Sequence, residues 1–216
     1  MIMELARQQS VVNHFIAELR DVHVQKDPMR FRRNLERVGE AIAIELSRVL
    51  EYSTNEVITP LGVAYCSMLK EQPVLATILR AGLPLHQGML NYFDRAESAF
   101  ISAYRKHRKG EDAFEIEVEY LSSPSLDDRT LVLIDPMLAT GKSMVHCYRA
   151  LLRMGRPKAI HVVAAIASSE GMEYARRHLP QGTRFWIGVI DEEMTAQAYI
   201  VPGLGDAGDL AYGAKI

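Results

Sequence analysis

The residues of this chain best suited to chemistry fall in a few short segments. The densest is Ile134-Asp135-Pro136-Met137-Leu138-Ala139-Thr140-Gly141-Lys142-Ser143. An apolar run, Thr130–Ile134, ends in Asp135, and a turn with Thr140, Gly141 and Ser143 then opens a segment of helical pattern. Backbone N–H groups in such a turn, reinforced by a helix N-terminus, suit a phosphate, and Thr and Ser hydroxyls add donors. An acid at the strand end suits ribose hydroxyls or a metal ion. The same residues also make an ordinary strand–helix turn with Thr140 as the helix N-cap. The ending Gly141-Lys142-Ser143 imitates the phosphate loop G-x-x-x-x-G-K-[ST]. The first glycine of that pattern falls on Pro136, which has no N–H to give and a fixed φ, so a nucleotidase of that kind is disfavoured.

Three further segments share this character. Ile78-Leu79-Arg80-Ala81-Gly82 ends an apolar run in a guanidinium beside open backbone, a combination suited to bidentate phosphate recognition or to a surface ion pair. Tyr104-Arg105-Lys106-His107-Arg108-Lys109-Gly110 concentrates basic residues ahead of an alternating segment; it suits a polyanionic ligand, a nucleic acid or a solvated loop. In Tyr199–Asp209, Gly203, Gly205 and Gly208 permit close approach of backbone to a ligand, and main-chain groups there could read a flat heterocycle.

The elements around these segments explain how they meet. Apolar residues Phe31, Leu35, Val38, Ile42, Leu46, Val49 and Leu50 recur every three or four positions and predict an amphipathic helix after Asp27-Pro28. The first sixty residues are expected to be helical, up to the break at Thr59-Pro60-Leu61-Gly62. Strands are expected at Pro73–Leu79, Ser98–Tyr104, Thr130–Ile134, Ala159–Ala167 and Arg184–Ile190, with helices over Leu83–Tyr92, Ser143–Met154 and Gly171–His178. Phe114–Leu121 alternates apolar with Glu115, Glu117 and Glu119, the pattern of a half-exposed, antiparallel or edge strand. Apolar strands alternating with helices predict an α/β fold: a mostly parallel twisted sheet with helices on both faces. Ligands bind such sheets at the carboxyl ends of the strands. The expected organisation is a single domain, 1–216, with residues 1–60 as an N-terminal helical arm and a β flap or hood at Arg105–Gly110.

Composition bounds the partners. The chain has 216 residues, 25 Lys+Arg against 27 Asp+Glu and a formal charge of −2, which excludes a generally basic nucleic-acid binder. Two cysteines, Cys66 and Cys147, make neither a disulfide framework nor a four-ligand zinc site. No apolar run approaches the ~20 residues that cross a bilayer. The expectation is a cytoplasmic protein with no membrane or nucleic-acid partner.

With these segments in view, the chain resembles the uracil phosphoribosyltransferases, within the type I phosphoribosyltransferases. The resemblance runs through Glu18-Leu19-Arg20-Asp21, Phe31-Arg32, Ile78–Gly82, Asp135–Ser143 and Tyr199–Asp209; the last two are its specific parts. It implies transfer of the 5-phosphoribosyl group of phosphoribosyl diphosphate (PRPP) to uracil, giving UMP and diphosphate, with Mg²⁺ as cofactor. Asp135, Pro136, Met137, Leu138, Ala139, Thr140, Gly141, Lys142 and Ser143 would then hold the ribose 5-phosphate and its hydroxyls. Arg80 and Arg105 would contact the diphosphate. Ile200, Gly205, Asp206 and Ala207 would face uracil, with Asp206 also near the phosphoribosyl substrate and the metal. Catalytic roles would fall to Asp206, Arg105 and Asp135, with no metal ligand assigned. The resemblance also implies a homo-oligomer and adds GTP as a candidate effector without a site.

Two positions depart from the family pattern. Lys142 stands where a second glycine is common, and a φ above zero there would cost Lys roughly 1 kcal/mol or more. Leu210 stands where an arginine is common, which removes any contact made by that arginine.

Overall fold

The structure, a computed structural model, describes residues 1–107 and 114–214; for 103–107 and 114–118 it describes the backbone alone. The expected hood at Arg105–Gly110 therefore falls partly outside the described residues, as does the side chain of Arg105.

The sheet is built from buried apolar strands: β4 (Val74–Leu79), β7 (Thr130–Ile134), β9 (Ala159–Ser168) and β10 (Arg184–Asp191). With β1 (Ile2–Glu4), β5 (Glu97–His107) and β6 (Phe114–Ser122) they lie in the order β1-β10-β9-β7-β4-β5-β6. Every pair is parallel except β5 with β6, so the alternating segment forms an antiparallel edge strand. A two-residue strand, β8 (Met137–Leu138), adds to β9.

Both faces of this sheet are covered, which is why the central strands read as unbroken apolar runs. In β7, Leu131 and Leu133 enter one core and Val132 and Ile134 the other. Helices α1 (Val12–Arg20), α2 (Pro28–Ser47) and α3 (Leu83–Leu90) cover one face. Helices α4 (Lys142–Leu151) and α5 (Ser169–His178) cover the other. Helix α2 starts where the sequence places it. The Asp27 carboxylate accepts from Met29 N at 2.9 Å and Arg30 N at 3.2 Å, and Pro28 occupies the first turn. Its Phe31, Leu35, Val38, Ile42 and Leu46 stripe is buried.

The expected helical arm over residues 1–60 needs correction at both ends. Ile2–Glu4 is an edge strand running parallel to Phe185–Ile187. Three residues are too few to show a period, and long-range pairing decides their conformation. Residues 52–59 are not helical either. They form β2 (Tyr52–Thr59), which pairs antiparallel with β3 (Gly62–Leu69), with Thr59 opposite Gly62 across a two-residue turn. The break at Thr59–Gly62 is the tip of this hairpin. Most of its residues are exposed on both faces, so it carries no inward–outward alternation to mark it as a strand. No helix among the described residues is long and apolar enough to cross a membrane.

Candidate active site

Adjacent strands β4 and β7 send their helices to opposite faces of the sheet: α3 follows β4 and α4 follows β7. Loops leaving such neighbours diverge and open a crevice at the carboxyl edge, where ligands bind in sheets of this type. The described parts of the segments singled out in the sequence leave from this edge or pack against it.

The loop after β7 is held by its own backbone. Asp135 N donates to Val163 O at 3.1 Å, and Pro136 O accepts from Ala165 N and Ile166 N. Beyond β8, Ala139 O accepts from Ser168 Oγ at 2.5 Å, and the same Oγ caps α5 by accepting from Gly171 N at 2.8 Å. Gly141 takes φ +70°, and a Cβ there would stand 2.6 Å from Gly171 O. The helix N-cap is thus Gly141 rather than the expected Thr140, because the turn needs both left-handed backbone and close approach to α5. Thr140 Oγ1 accepts instead from Lys142 N, at 3.4 Å. Gly141 supplies no side-chain cap, which leaves first-turn N–H groups of α4 available to an anion. Lys142 is the first residue of α4, and the positive φ lies at Gly141, so the departure from the second glycine carries no backbone strain.

Asp135 directly follows β7 and is partly exposed as a residue. Its Oδ1 accepts from Met137 N at 3.2 Å. Burial nevertheless outweighs this bond and pushes its pKa up to about 7. Cys147, within α4, is pushed up to about 12, first by its own burial and then by the charge of Asp135.

Arg80 lies one residue past β4. Its Nη2 donates to Asp209 Oδ1 at 3.2 Å and to Gly213 O, while its buried Nε has no hydrogen-bond partner. Gly82 wedges the turn against the neighbouring strand: a Cβ there would lie 2.2 Å from Thr77 Oγ1 and 3.2 Å from Ile134 O. The Arg80 turn therefore touches the end of β7 where Asp135 begins. On its other side lies Gly208, whose Cβ position is 3.1 Å from Asp206 Oδ1 and 3.9 Å from both Ala81 Cβ and Arg80 Nε.

The C-terminal loop is more ordered than its glycines suggest. Ile200 lies in β12 (Ile200–Val201), which pairs with β11 (Glu193–Met194). Asp206 is the N-cap of α6 (Ala207–Tyr212), its Oδ1 accepting from Asp209 N at 2.9 Å. Ile200 and Ala207 are buried, and Gly205 takes φ +92°. Leu210 packs into the core beneath, its Cδ1 3.9 Å from where a Gly205 Cβ would be. Arg32 Nη1 donates to Ala211 O at 2.6 Å and tethers α6 to α2.

The structure thus brings Arg80, Asp206 and the end of β7 to one place, with the Asp135–Ser143 loop continuing from it. The backbone of Arg105 pairs with Ile116 in the edge hairpin; its side chain lies outside what is described. Two residues given no role from the sequence also belong to the site's framework: Asp191 at the end of β10, and Arg20, which binds it. The signal for Asp191 was present, since Phe185–Ile190 ends in an acid just as Leu131–Ile134 does. A cavity of ≈ 530 Å³ opens elsewhere, at the amino edge of the sheet between Thr130, His161 and Arg184. It is lined by none of these groups.

Comparison with known proteins agrees with this architecture. The chain matches the family of uracil phosphoribosyltransferases over residues 6–214. It is 52% identical to the uracil phosphoribosyltransferase of Porphyromonas gingivalis, covering 100% of this chain and 99% of that protein. Among solved structures, the AQ2163 protein from Aquifex aeolicus superposes with a TM-score of 0.87 at 29% identity, covering 100% of both chains. A hypoxanthine phosphoribosyltransferase from Staphylococcus aureus shares the fold alone, with a TM-score of 0.50 at 13% identity over 76% of each chain. The family match spans every strand end and loop that builds this crevice, and the chain belongs to the uracil phosphoribosyltransferase family.

Proposed function

We propose that this chain transfers the 5-phosphoribosyl group of PRPP to uracil, releasing diphosphate and forming UMP. The observation that carries the reading is the meeting of Arg80, with its unpartnered buried Nε–H, and Asp206 beside the strand end that leads into the Asp135–Ser143 loop. First-turn N–H groups of α4 and the hydroxyls of Thr140 and Ser143 hold the 5-phosphate. Asp135 takes the ribose hydroxyls. Arg80 binds the diphosphate, its Nε–H finding the acceptor it lacks in the free chain, and Arg105 joins it from the edge hairpin. Backbone groups at Ile200, Gly205 and Ala207 read the flat edge of uracil.

Breaking the bond at the anomeric carbon builds positive character on the ribose and negative charge on the departing diphosphate. Arginines stabilise the second and a nearby carboxylate, Asp135 or Asp206, the first; fixed charges of this kind act most strongly where water is excluded.

Among the described residues no group of three or more His, Cys, Asp or Glu could hold a metal ion. That suits Mg²⁺, which commonly binds through one or two carboxylates plus substrate phosphates rather than in a protein cage. Asp206 and Asp135 are the carboxylates at hand, and the ion would add positive charge against the departing diphosphate.

We also propose that the chain works as a homo-oligomer through the β2–β3 hairpin. Ile58 is 89% and Leu61 100% exposed, with Val63 and Tyr65 exposed beside them. Two-stranded ribbons are marginal alone, and an apolar surface of this kind marks a contact.

The test is diphosphate release from PRPP with Mg²⁺ and uracil, cytosine, hypoxanthine or no base. Release with uracil alone, giving UMP, is expected. Release with another base but not uracil would reassign the substrate, and release without base would make it a hydrolase.

A further inference from the structure

We propose that Arg20 and Asp191 are positioning residues for the base-reading turn, setting uracil affinity without touching the base. The inference rests on the reading that Ile200 and Gly205–Ala207 contact uracil.

Arg20 ends α1 and Asp191 ends β10. Their side chains form a two-point ion pair: Nη2 to Oδ1 at 2.8 Å and Nη1 to Oδ2 at 2.9 Å. Both then reach the same peptide. Gly203 N donates to Asp191 Oδ2 at 3.0 Å, and Gly203 O accepts from Arg20 Nη1 at 3.2 Å. One residue of the turn therefore has its only backbone donor and its acceptor held by the two halves of one ion pair. Gly203 takes φ +54°, and a Cβ there would lie 2.1 Å from Ile200 O, so the turn is closed onto itself at this point. Ile200 and Leu204 are buried on either side. The clamp is itself braced: Gln25 Nε2 donates to Leu19 O and Arg20 O, both at 3.1 Å, fixing the end of α1.

Asp191 is 7% exposed, and both its carboxylate oxygens are engaged by Arg20 and Gly203. A partly buried ion pair contributes little net stability, since desolvation offsets attraction. Its attested use is to select one geometry, and the geometry selected here is that of Gly203, midway between Ile200 and the Gly205–Ala207 segment. Asp206 is secured separately, through its cap on α6, and the Arg80 and Asp135–Ser143 segments hang from other strands. Loosening Gly203 should therefore weaken the base site and spare the PRPP site.

The experiment measures kcat and KM for each substrate, and PRPP binding by calorimetry, in full-length Arg20→Ala, Arg20→Lys, Asp191→Asn and the double variant Arg20→Ala/Asp191→Asn. Gly205→Ala serves as a control that strains the reading turn directly, at φ +92°. The expected result for Arg20→Ala and Asp191→Asn is a uracil KM raised about tenfold or more with PRPP KM within about twofold. The double variant should cost no more than the worse single one, because the pair acts as a unit. Arg20→Lys, which keeps charge but not the fork, should recover part of the loss. Equal weakening of both substrates, or lost PRPP binding, would overturn the proposal in favour of a general structural role. Should Gly205→Ala raise the uracil KM while every pair variant leaves it unchanged, the clamp fails and the base-reading assignment stands. Were Gly205→Ala also silent, the base is read elsewhere and both fall.

Discussion

Arg80 Nη2 stands 3.2 Å from Asp209 Oδ1, with the two side chains 33% and 42% exposed. A pair this open to solvent is worth only ~0–1 kcal/mol. Its Nε–H meanwhile has no partner. Arg80 is thus held only at its Nη end, by Asp209 and by the carbonyl of Gly213, which leaves Nε–H for an anionic ligand.

Arg80→Lys should therefore separate function from stability. A lysine keeps the charge but loses the planar fork, so kcat/KM for PRPP is expected to fall about tenfold to a hundredfold. The melting temperature should move by no more than about 4 °C, the scale of a surface contact in a chain of this length. A melt by calorimetry beside the steady-state assay checks both halves.

Asp135 gives a pH signature in the free protein. Burial raises its folded pKa from 3.8 to about 7, so the folded state holds a proton that the unfolded state gives up. The sign follows: its contribution is fully present below about 3.8, declines as pH rises, and is lost through about 7. Asp135→Asn keeps an acceptor for Met137 N and cannot ionise. The stability of the variant relative to the parent should rise across this window and level off above it. Denaturant titrations at four or five pH values test it, and a flat difference would contradict the assignment.

The contact between the two helix starts is a third point of test. A Cβ on Gly171 would stand 2.1 Å from Ala139 O and 2.6 Å from Leu138 O, both backbone atoms of the Asp135–Ser143 loop. Gly171→Ala should destabilise by ~1–3 kcal/mol through overpacking. It should also raise the PRPP KM, because making room moves that loop away from the start of α5. Chemical denaturation and kinetics on the same preparation measure both effects.

Replacing Ile58 and Leu61 together by Asp puts charge on side chains that are exposed in the single chain. The fold of one subunit should survive, with an unchanged far-UV spectrum, while sedimentation shifts from a dimer or larger species to monomer. An unchanged sedimentation coefficient would place the subunit contact elsewhere.

Much of the site was legible because its parts are local. The apolar strand Thr130–Ile134, the acid that ends it and the glycine turn into α4 are contiguous, and each leaves its mark in composition or spacing. The Asp27 cap and the stripe from Phe31 to Leu46 are legible for the same reason. The hairpin over residues 52–69 was missed because a ribbon exposed on both faces needs no alternation. The helix that Asp206 caps was not expected from the sequence, since six residues are too few to show a period.

By itself, the sequence determined which segments are strand or helix wherever one side of them must be buried, and marked the loops whose residue types suit an anion or a flat heterocycle. The tertiary structure alone decided the strand order, the pairing of Ile2–Glu4 with β10, the placement of Arg80 against Asp209 and the clamp of Arg20 and Asp191 on Gly203. Periodicity reports what a residue's neighbours in the chain do with water. It says nothing of which distant segment supplies the partner, and Arg20 and Asp191 meet only because α1 and β10 pack against the same sheet core.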